Sequence, residues 1–212
     1  MSESSQDSST NEPESSSSDE HDDSTISSLP RFIAVGLVSF VLTCILVFLF
    51  ASWMTPEVEP GFPTTRKAVP QEAGVFRVTV DAGDRKEWIP INLSTGVVGG
   101  NEHKADLLVQ RYIIRAPNGG VDLGQIPLAD AKVDETTEWT EDEIVDGQLQ
   151  NPTLSHWYTY SYFTHLLKSE NHSYAVRLRS GDGIAFYNVV SYYCEPERTS
   201  CVTIDYRLEY SQ

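Results

Sequence analysis

The chain has 212 residues and a formal net charge of −16, with 31 acidic against 15 basic side chains. The basic residues form no stripe, which argues against a nucleic-acid partner bound through its phosphates. The excess of acid is expected to serve solubility, with a charge-steered partner surface as the alternative.

Residues 1–30 form an acidic, Ser-rich segment whose charged side chains are all Asp or Glu. It contains a Ser run at 15–18, and no aromatic residue precedes Phe32. Such a segment buries too little apolar surface to offset the loss of chain entropy on folding. We therefore predict a disordered tail.

Residues 31–54 are predicted to form a single transmembrane helix. The apolar run at 32–53 carries no charge and is long enough to cross a hydrocarbon core of about 30 Å. An isolated span must satisfy its own backbone hydrogen bonds, which favours a helix. A cleaved signal peptide is the alternative, but its apolar region is usually shorter and follows a basic start. Residues 32–53 are thus expected to contact membrane lipid.

Two features predict the side of the membrane on which the rest of the chain lies. Arg31 precedes the apolar run and Glu57 follows it, so the positive-inside rule favours a cytoplasmic N-terminus. Cys194 and Cys201 lie in a segment that reads as two strands joined by a loop. They could form a disulfide in an oxidising compartment, with a free pair at a hairpin base as the alternative. The C-terminal part is expected outside the cytoplasm, in a periplasm or on the cell surface.

Residues 55–71 contain four prolines and are predicted to be a stiff linker. Residues 72–212 alternate apolar and polar side chains and are rich in aromatic and β-branched residues, which favours strands. The predicted strands are 75–80, 88–93, a short return strand that begins at 97–98, 106–115, 157–163, 174–179, 184–193 and 202–210. Residues 123–149 are expected to form a loop, with a short helix within it as the alternative. The fold class is an all-β antiparallel sandwich or meander on one N-terminal helix.

Four sequence blocks follow one another in this domain. They are KEWIPINLSTG at 86–96; ADLLVQRYIIR at 105–115 with NGG at 118–120; WYTY at 157–160 with THLL at 164–167; and YAVR at 174–177 with VVSYY at 189–193 and the final strand at 202–210. In order and spacing they resemble the HmuY family of haem-binding proteins over about residues 72–211. The resemblance implies a β-rich fold that holds one haem outside the cytoplasm, for carriage rather than catalysis.

Haem iron takes axial ligands from His, Met, Cys or Tyr. Both methionines lie before the β domain, which contains four histidines. His165, at a loop edge after an aromatic strand, is the first candidate metal ligand, and His156 is the second. His103 and His172 are further candidates in polar loops. For each histidine the alternative is an ordinary exposed or hydrogen-bonded loop residue.

Trp157 and Tyr160 are predicted to contact the porphyrin, in an aromatic slot with Tyr158, Tyr162 and Phe163. Packing of these side chains into the core is the alternative. Three arginines are candidate partners of the haem propionates because a guanidinium binds a carboxylate in a bidentate manner. They are Arg111, Arg115 and Arg177.

No hydrolase, metalloprotease or phosphate-loop motif is found in the sequence, and we expect no enzyme. The function predicted is that of a membrane-tethered haem-binding protein. The alternative is a non-catalytic β domain that serves as an interaction or accessory subunit of a membrane protein complex.

Overall fold

The computed structural model describes residues 29–53, 58–195 and 198–210. The chain divides into two compact units, residues 1–55 and 56–212. Most of the predicted tail, residues 1–28, lies outside the described residues.

The first unit contains helix α1 (Leu29–Trp53). Its central stretch, Phe32–Ser52, has a mean hydropathy of 2.9, and its large apolar side chains are exposed. The predicted single apolar helix is thus confirmed. Its length and composition suit a membrane span and equally a signal sequence.

The second unit is built almost entirely from antiparallel strands. Its first seven described strands are β1 (Val69–Pro70), β2 (Phe76–Asp81), β3 (Ile89–Asn92), β4 (Val97–Val98), β5 (Leu107–Gln110), β6 (Ile113–Arg115) and β7 (Gly120–Asp122). The next seven are β8 (Glu143–Val145), β9 (Gln148–Gln150), β10 (Tyr158–Tyr160), β11 (Leu167–Ser169), β12 (Ser173–Arg177), β13 (Gly183–Cys194) and β14 (Arg198–Tyr210). Three short 3-10 helices lie between them, at Glu72–Gly74, Glu102–Lys104 and Leu154–His156.

Two sheets form the body of the β unit. The larger has six strands in the order β1-β2-β14-β13-β12-β7, and the smaller has four in the order β4-β3-β5-β6. Strand pairs β8-β9 and β10-β11 form separate two-stranded hairpins. The predicted all-β antiparallel domain is confirmed.

Both sheets contribute to one hydrophobic core because alternate residues of each strand point inward. Val78, Tyr187 and Ile204 come from the larger sheet, and Ile91 and Leu107 come from the smaller one; none is more than 1% exposed. The opposite face of the larger sheet carries Ala175 and Phe186. Apolar side chains between residues 121 and 139 cover that face and form a second, smaller cluster.

Two segments differ from the sequence-based expectation. Residues 106–115, predicted as one strand, form β5 and β6 with a reversal at Arg111, whose φ is 54°. The predicted loop at 123–149 contains the β8-β9 hairpin. Its turn at Asp146-Gly147 has positive φ at both residues, as the tightest hairpin turns require.

Residues 58–70, which we call the strap, lie along the β unit. Phe62 pairs in parallel with Cys194, and the Phe62 amide donates to the Tyr193 carbonyl at 3.1 Å. Further along, the Thr65 amide donates to the carbonyl of Thr79 at 2.9 Å. Much of the predicted linker is therefore hydrogen-bonded to the domain.

Cys194 and Cys201 form a disulfide between β13 and β14, with a Cα–Cα distance of 5.2 Å. The bond closes the end of the longest hairpin of the β unit, which extends to the pairing of Gly183 with Tyr210. Of the two arrangements left open by the sequence, the structure has the disulfide.

Candidate ligand site

An aromatic cavity of about 520 Å³ opens between the β5–β6 reversal, the β10-β11 hairpin and the disulfide-bonded end of β13 and β14. Five tyrosines line it together with one arginine, one histidine and smaller side chains. The tyrosines are Tyr112, Tyr158, Tyr160, Tyr162 and Tyr192. Its volume lies within the range of small-molecule and cofactor sites.

The β5–β6 reversal places Arg111 and Tyr112 at the cavity. The Arg111 amide donates to the carbonyl of Ala82 at 2.8 Å, which holds the reversal against the end of β2. The carbonyl of Tyr112 accepts a hydrogen bond from Nε1 of Trp157 at 2.8 Å. The Tyr112 ring in turn packs edge-on against Tyr158, with 5.4 Å between ring centroids.

The β10-β11 hairpin supplies the second wall. Tyr160 pairs with Leu167 at the end of the ladder, and residues 161–166 form the connecting loop. The His165 amide donates to the Ser161 carbonyl at 2.8 Å, and the Ser161 amide donates to the Leu166 carbonyl at 2.9 Å. These bonds hold His165 at a φ of 56°, a conformation that is uncommon for a residue other than glycine.

Within this wall, Oη of Tyr160 lies 2.6 Å from Nδ1 of His165. Both side chains line the cavity, and both are partly open to solvent. The hydrogen bond fixes the orientation of the imidazole relative to the cavity.

The third wall comes from β13 and β14. Tyr192 Oη donates to Oγ of Ser200 at 3.0 Å, across the disulfide-bonded end of the hairpin. Ser200 has a φ of 75°, next to Cys201 of the disulfide. The disulfide therefore holds two strands that both contribute to the cavity.

The electrostatics of the cavity differ from those of the chain as a whole. Arg111 is the one Lys or Arg among the described residues that line it, and none of those residues is an Asp or Glu. Burial raises the pKa of Tyr158, with smaller contributions from the phenols of Tyr112 and Tyr192. In a chain of net charge −16, the cavity thus combines phenols with a basic side chain and no acidic one.

Two of the four site residues predicted from the sequence, His165 and Tyr160, lie together in the cavity. Trp157 is 1% exposed and lies behind the wall, with its ring centroid 5.1 Å from that of Tyr158. His156 is exposed at the end of the 3-10 helix Leu154–His156 and is not among the described residues that line the cavity. Their part in binding a ligand remains a prediction.

The other candidate residues have different surroundings. Nδ1 of His172 lies 2.8 Å from Oδ2 of Asp122, and His103 is exposed in the 3-10 helix Glu102–Lys104. Arg115 pairs with Asp142 at 3.1 Å, and Arg177 lies over the ring of a tryptophan. Of the three candidate arginines, Arg111 is the one that lines the cavity.

Tyr112 and Tyr192 are cavity residues that the sequence did not indicate. Each belongs to a strand or reversal that reads as ordinary β structure, and they meet only through long-range packing. Among the described residues, no group of three or more His, Cys, Asp or Glu side chains is arranged to hold a metal ion.

Neither a protein-family model nor a curated protein sequence matches the chain. The fold is similar to that of a Bacteroides fragilis protein described as a lipoprotein, with 21% identity over 68% of this chain and 96% of that one, at a TM-score of 0.54. It is also similar to a protein of Bacteroides vulgatus described as an HmuY-like haem-binding protein. There the identity is 21% over 71% of this chain and 97% of that one, at a TM-score of 0.52.

A third similar structure is the apo form of an HmuY analogue from Tannerella forsythia. The identity is 15% over 64% of this chain and 95% of that one, and the TM-score is 0.54. The similarity extends over nearly the whole length of each of these three proteins. The β domain therefore has the HmuY-like fold, and the resemblance indicated by the sequence blocks is confirmed at the level of the fold.

Proposed function

We propose that this chain is a membrane-tethered protein that binds one haem in the aromatic cavity and carries or sequesters it outside the cytoplasm, without catalysing a reaction. The observation that carries the proposal is the Tyr160–His165 pair, 2.6 Å apart, in a cavity that also contains Arg111.

The side chains of the cavity fit the chemistry of a haem. Phenol and imidazole are both axial ligands of haem iron in proteins. Tyrosine rings offer flat apolar surface to a macrocycle, and Arg111 offers paired donors to its carboxylates. The absence of carboxylates from the described lining avoids repulsion of the two propionates.

Each residue has a role in this proposal. The Tyr160–His165 pair provides the iron ligand, Arg111 binds a propionate, and Trp157 supports the wall from behind. His156 lies outside the described lining of the cavity and remains the second candidate ligand. A bound haem would supply a Lewis-acidic iron, which the Tyr160–His165 pair would hold.

Two further observations support the location. Helix α1 is long and apolar enough to anchor the chain in a lipid bilayer. The disulfide between Cys194 and Cys201 is typical of an oxidising compartment outside the cytoplasm. One of the proteins with the same fold is described as a lipoprotein, which is also a membrane-attached form.

A haemin titration of the full chain in detergent micelles tests the proposal. We expect a Soret shift that saturates at one haem per chain and is weakened at least about tenfold, or about 1.4 kcal/mol, by His165→Ala. His103→Ala, at an exposed histidine outside the cavity lining, is the matched control and is expected to bind haemin normally. If the wild-type chain showed no saturable shift, the alternative function of a non-catalytic subunit with a membrane protein partner would replace this one.

A further inference from the structure

The hydrogen bond between Tyr160 and His165 has a preferred direction. A phenol is a good donor and a poor acceptor, whereas an unprotonated imidazole nitrogen is a good acceptor. The distance of 2.6 Å between Oη and Nδ1 is short even for a hydroxyl donor. The chemistry therefore favours a bond in which Tyr160 donates its proton to Nδ1 of His165.

This direction determines which side chain is ready to bind iron. If Nδ1 accepts the bond, the proton of the neutral imidazole is on Nε2, so neither ring nitrogen has a free lone pair for a metal. The oxygen of Tyr160, by contrast, has its lone pairs free, and its proton already points at a base. A neutral His165 in this arrangement is a proton acceptor rather than a metal ligand.

We propose that Tyr160 is the iron ligand of the haem site and that His165 is the positioning residue that accepts the phenol proton. This inference rests on the proposed haem-binding function. If haem were bound, the O–H bond of Tyr160 would break, its proton would pass to Nδ1 of His165, and the phenolate oxygen would hold the ferric iron. No electron is transferred, and the imidazolium offsets part of the charge of the phenolate.

The backbone around His165 keeps the base in place. Its positive φ is maintained by the two main-chain hydrogen bonds that close the loop at 161–166. Strained backbone of this kind is often found at functional sites. Since no described residue of the cavity lining is an Asp or Glu, no carboxylate in that lining competes with His165 for the phenol proton.

Binding through Tyr160 would also favour one oxidation state of the haem iron. An anionic oxygen donor is attracted more strongly to ferric than to ferrous iron because the ferric ion carries the larger charge. We therefore expect the site to prefer ferric haem, and reduction of the iron is expected to weaken binding at least about tenfold.

Resonance Raman spectroscopy of the full chain in micelles, loaded with haemin, tests the assignment. We expect vibrations of an iron-bound phenolate in the wild type and in Tyr210→Phe, an exposed tyrosine at the end of β14. Tyr160→Phe is expected to lose these vibrations and at least about tenfold in affinity for ferric haem. His165→Ala is expected to keep the vibrations at a lower occupancy.

Two outcomes would overturn the assignment of Tyr160 but not the haem-binding function. One is saturable haem binding without phenolate vibrations. The other is vibrations that persist in Tyr160→Phe and disappear in Tyr162→Phe. No saturable binding would instead remove the function on which the assignment rests. Nitrogen NMR of the haem-free chain gives an independent readout. A neutral His165 with its proton on Nδ1 would contradict the proposed direction of the hydrogen bond.

Discussion

Gly61 passes so close to the carbonyl group of Cys194 that a Cβ atom at position 61 would stand 2.5 Å from the carbonyl oxygen. On either side of this approach, the Phe62 amide donates to Tyr193 and the Glu195 amide donates to Phe62, each at 3.1 Å. A glycine is thus required for the strap to pair with β13 at the disulfide.

Gly61→Ala is expected to lower the free energy of unfolding by about 1–3 kcal/mol, because the methyl group would collide with main-chain atoms that cannot rotate away. Urea unfolding of the full chain in micelles measures the effect. Gly83→Ala is the control, because its added methyl group would meet the flexible side chain of Asp81 at 3.2 Å. Equal stability of the two variants would show that the strap does not contribute to the fold.

Asp106 makes the stability depend on pH. Its carboxylate accepts the amides of Leu93 and Arg179, each at 2.6 Å. Burial nevertheless raises the pKa of Asp106 above its ordinary value of 3.8. The carboxyl group of Asp106 therefore keeps its proton to a higher pH in the folded chain than in the unfolded chain. The stabilisation from Asp106 is complete below the ordinary pKa and is lost as the pH rises through the raised pKa.

Asp106→Asn is expected to remove this part of the pH dependence. It is also expected to lower the free energy of unfolding by about 1–3 kcal/mol, because the NH₂ group of the asparagine cannot accept the hydrogen bond of the backbone amide that it faces. Urea unfolding between about pH 3 and pH 7 measures both effects. Asp130→Asn, at an exposed carboxylate, is the control. An unchanged pH slope in Asp106→Asn would show that another group titrates.

Trp157 connects the core to the cavity wall. Trp157→Phe leaves the Tyr112 carbonyl without its indole donor and opens space behind Tyr158. We expect a loss of about 2–4 kcal/mol in the free energy of unfolding, together with weaker haemin binding. Trp139→Phe, on the opposite face of the six-stranded sheet, is expected to leave haemin affinity unchanged. Equal haemin affinities in the two variants would contradict the role given to Trp157.

The disulfide is expected to add about 2–3 kcal/mol to the free energy of unfolding, as the entropy of closing a loop of this length predicts. The two cysteines are 7 positions apart. The double variant Cys194→Ser, Cys201→Ser should unfold at lower urea than the wild type, and reductant should destabilise only the wild type. A wild type that is insensitive to reductant would show that the bond contributes little.

The oxidation state of the two disulfide cysteines also indicates whether the domain lies in an oxidising or a reducing compartment. When free thiols are alkylated in intact cells, Cys44 is expected to be labelled only after the membrane is solubilised with detergent. Cys194 and Cys201 are expected to remain unlabelled until reductant is added. Alkaline extraction is expected to leave the chain in the membrane fraction, and deletion of residues 32–52 to release it. Labelling of all three cysteines without reductant would place the domain in a reducing compartment.

Local sequence patterns predicted most strands but not all of their boundaries. Residues 75–80 alternate clearly and coincide with most of β2, whereas 106–115 is rich in β-branched and aromatic residues throughout and gives no sign of the reversal at Arg111. The β8-β9 hairpin is exposed and weakly patterned, although Asp146-Gly147 is a recognised turn signal that could have located it.

The candidate site was only partly predictable, because its residues come from three separate parts of the β domain. His165 and Tyr160 are close in sequence and lie on one hairpin, so sequence reasoning could select both. Tyr112 and Tyr192 are brought to them by sheet pairing and packing that no local pattern encodes. Burial of Trp157 depends on the same long-range packing.

The strap also determines whether proteolysis would release an intact β domain. Backbone groups of Phe62, Thr65, Arg66 and Ala68 are hydrogen-bonded to the domain, and β1 covers part of the edge of β2. A cut before residue 58 would free a domain with its strap in place. A cut within the strap would bare a strand edge of the larger sheet, and such edges promote aggregation. Cleavage before residue 58 would thus release an intact domain, whereas cleavage within the strap would release a domain that is prone to aggregate.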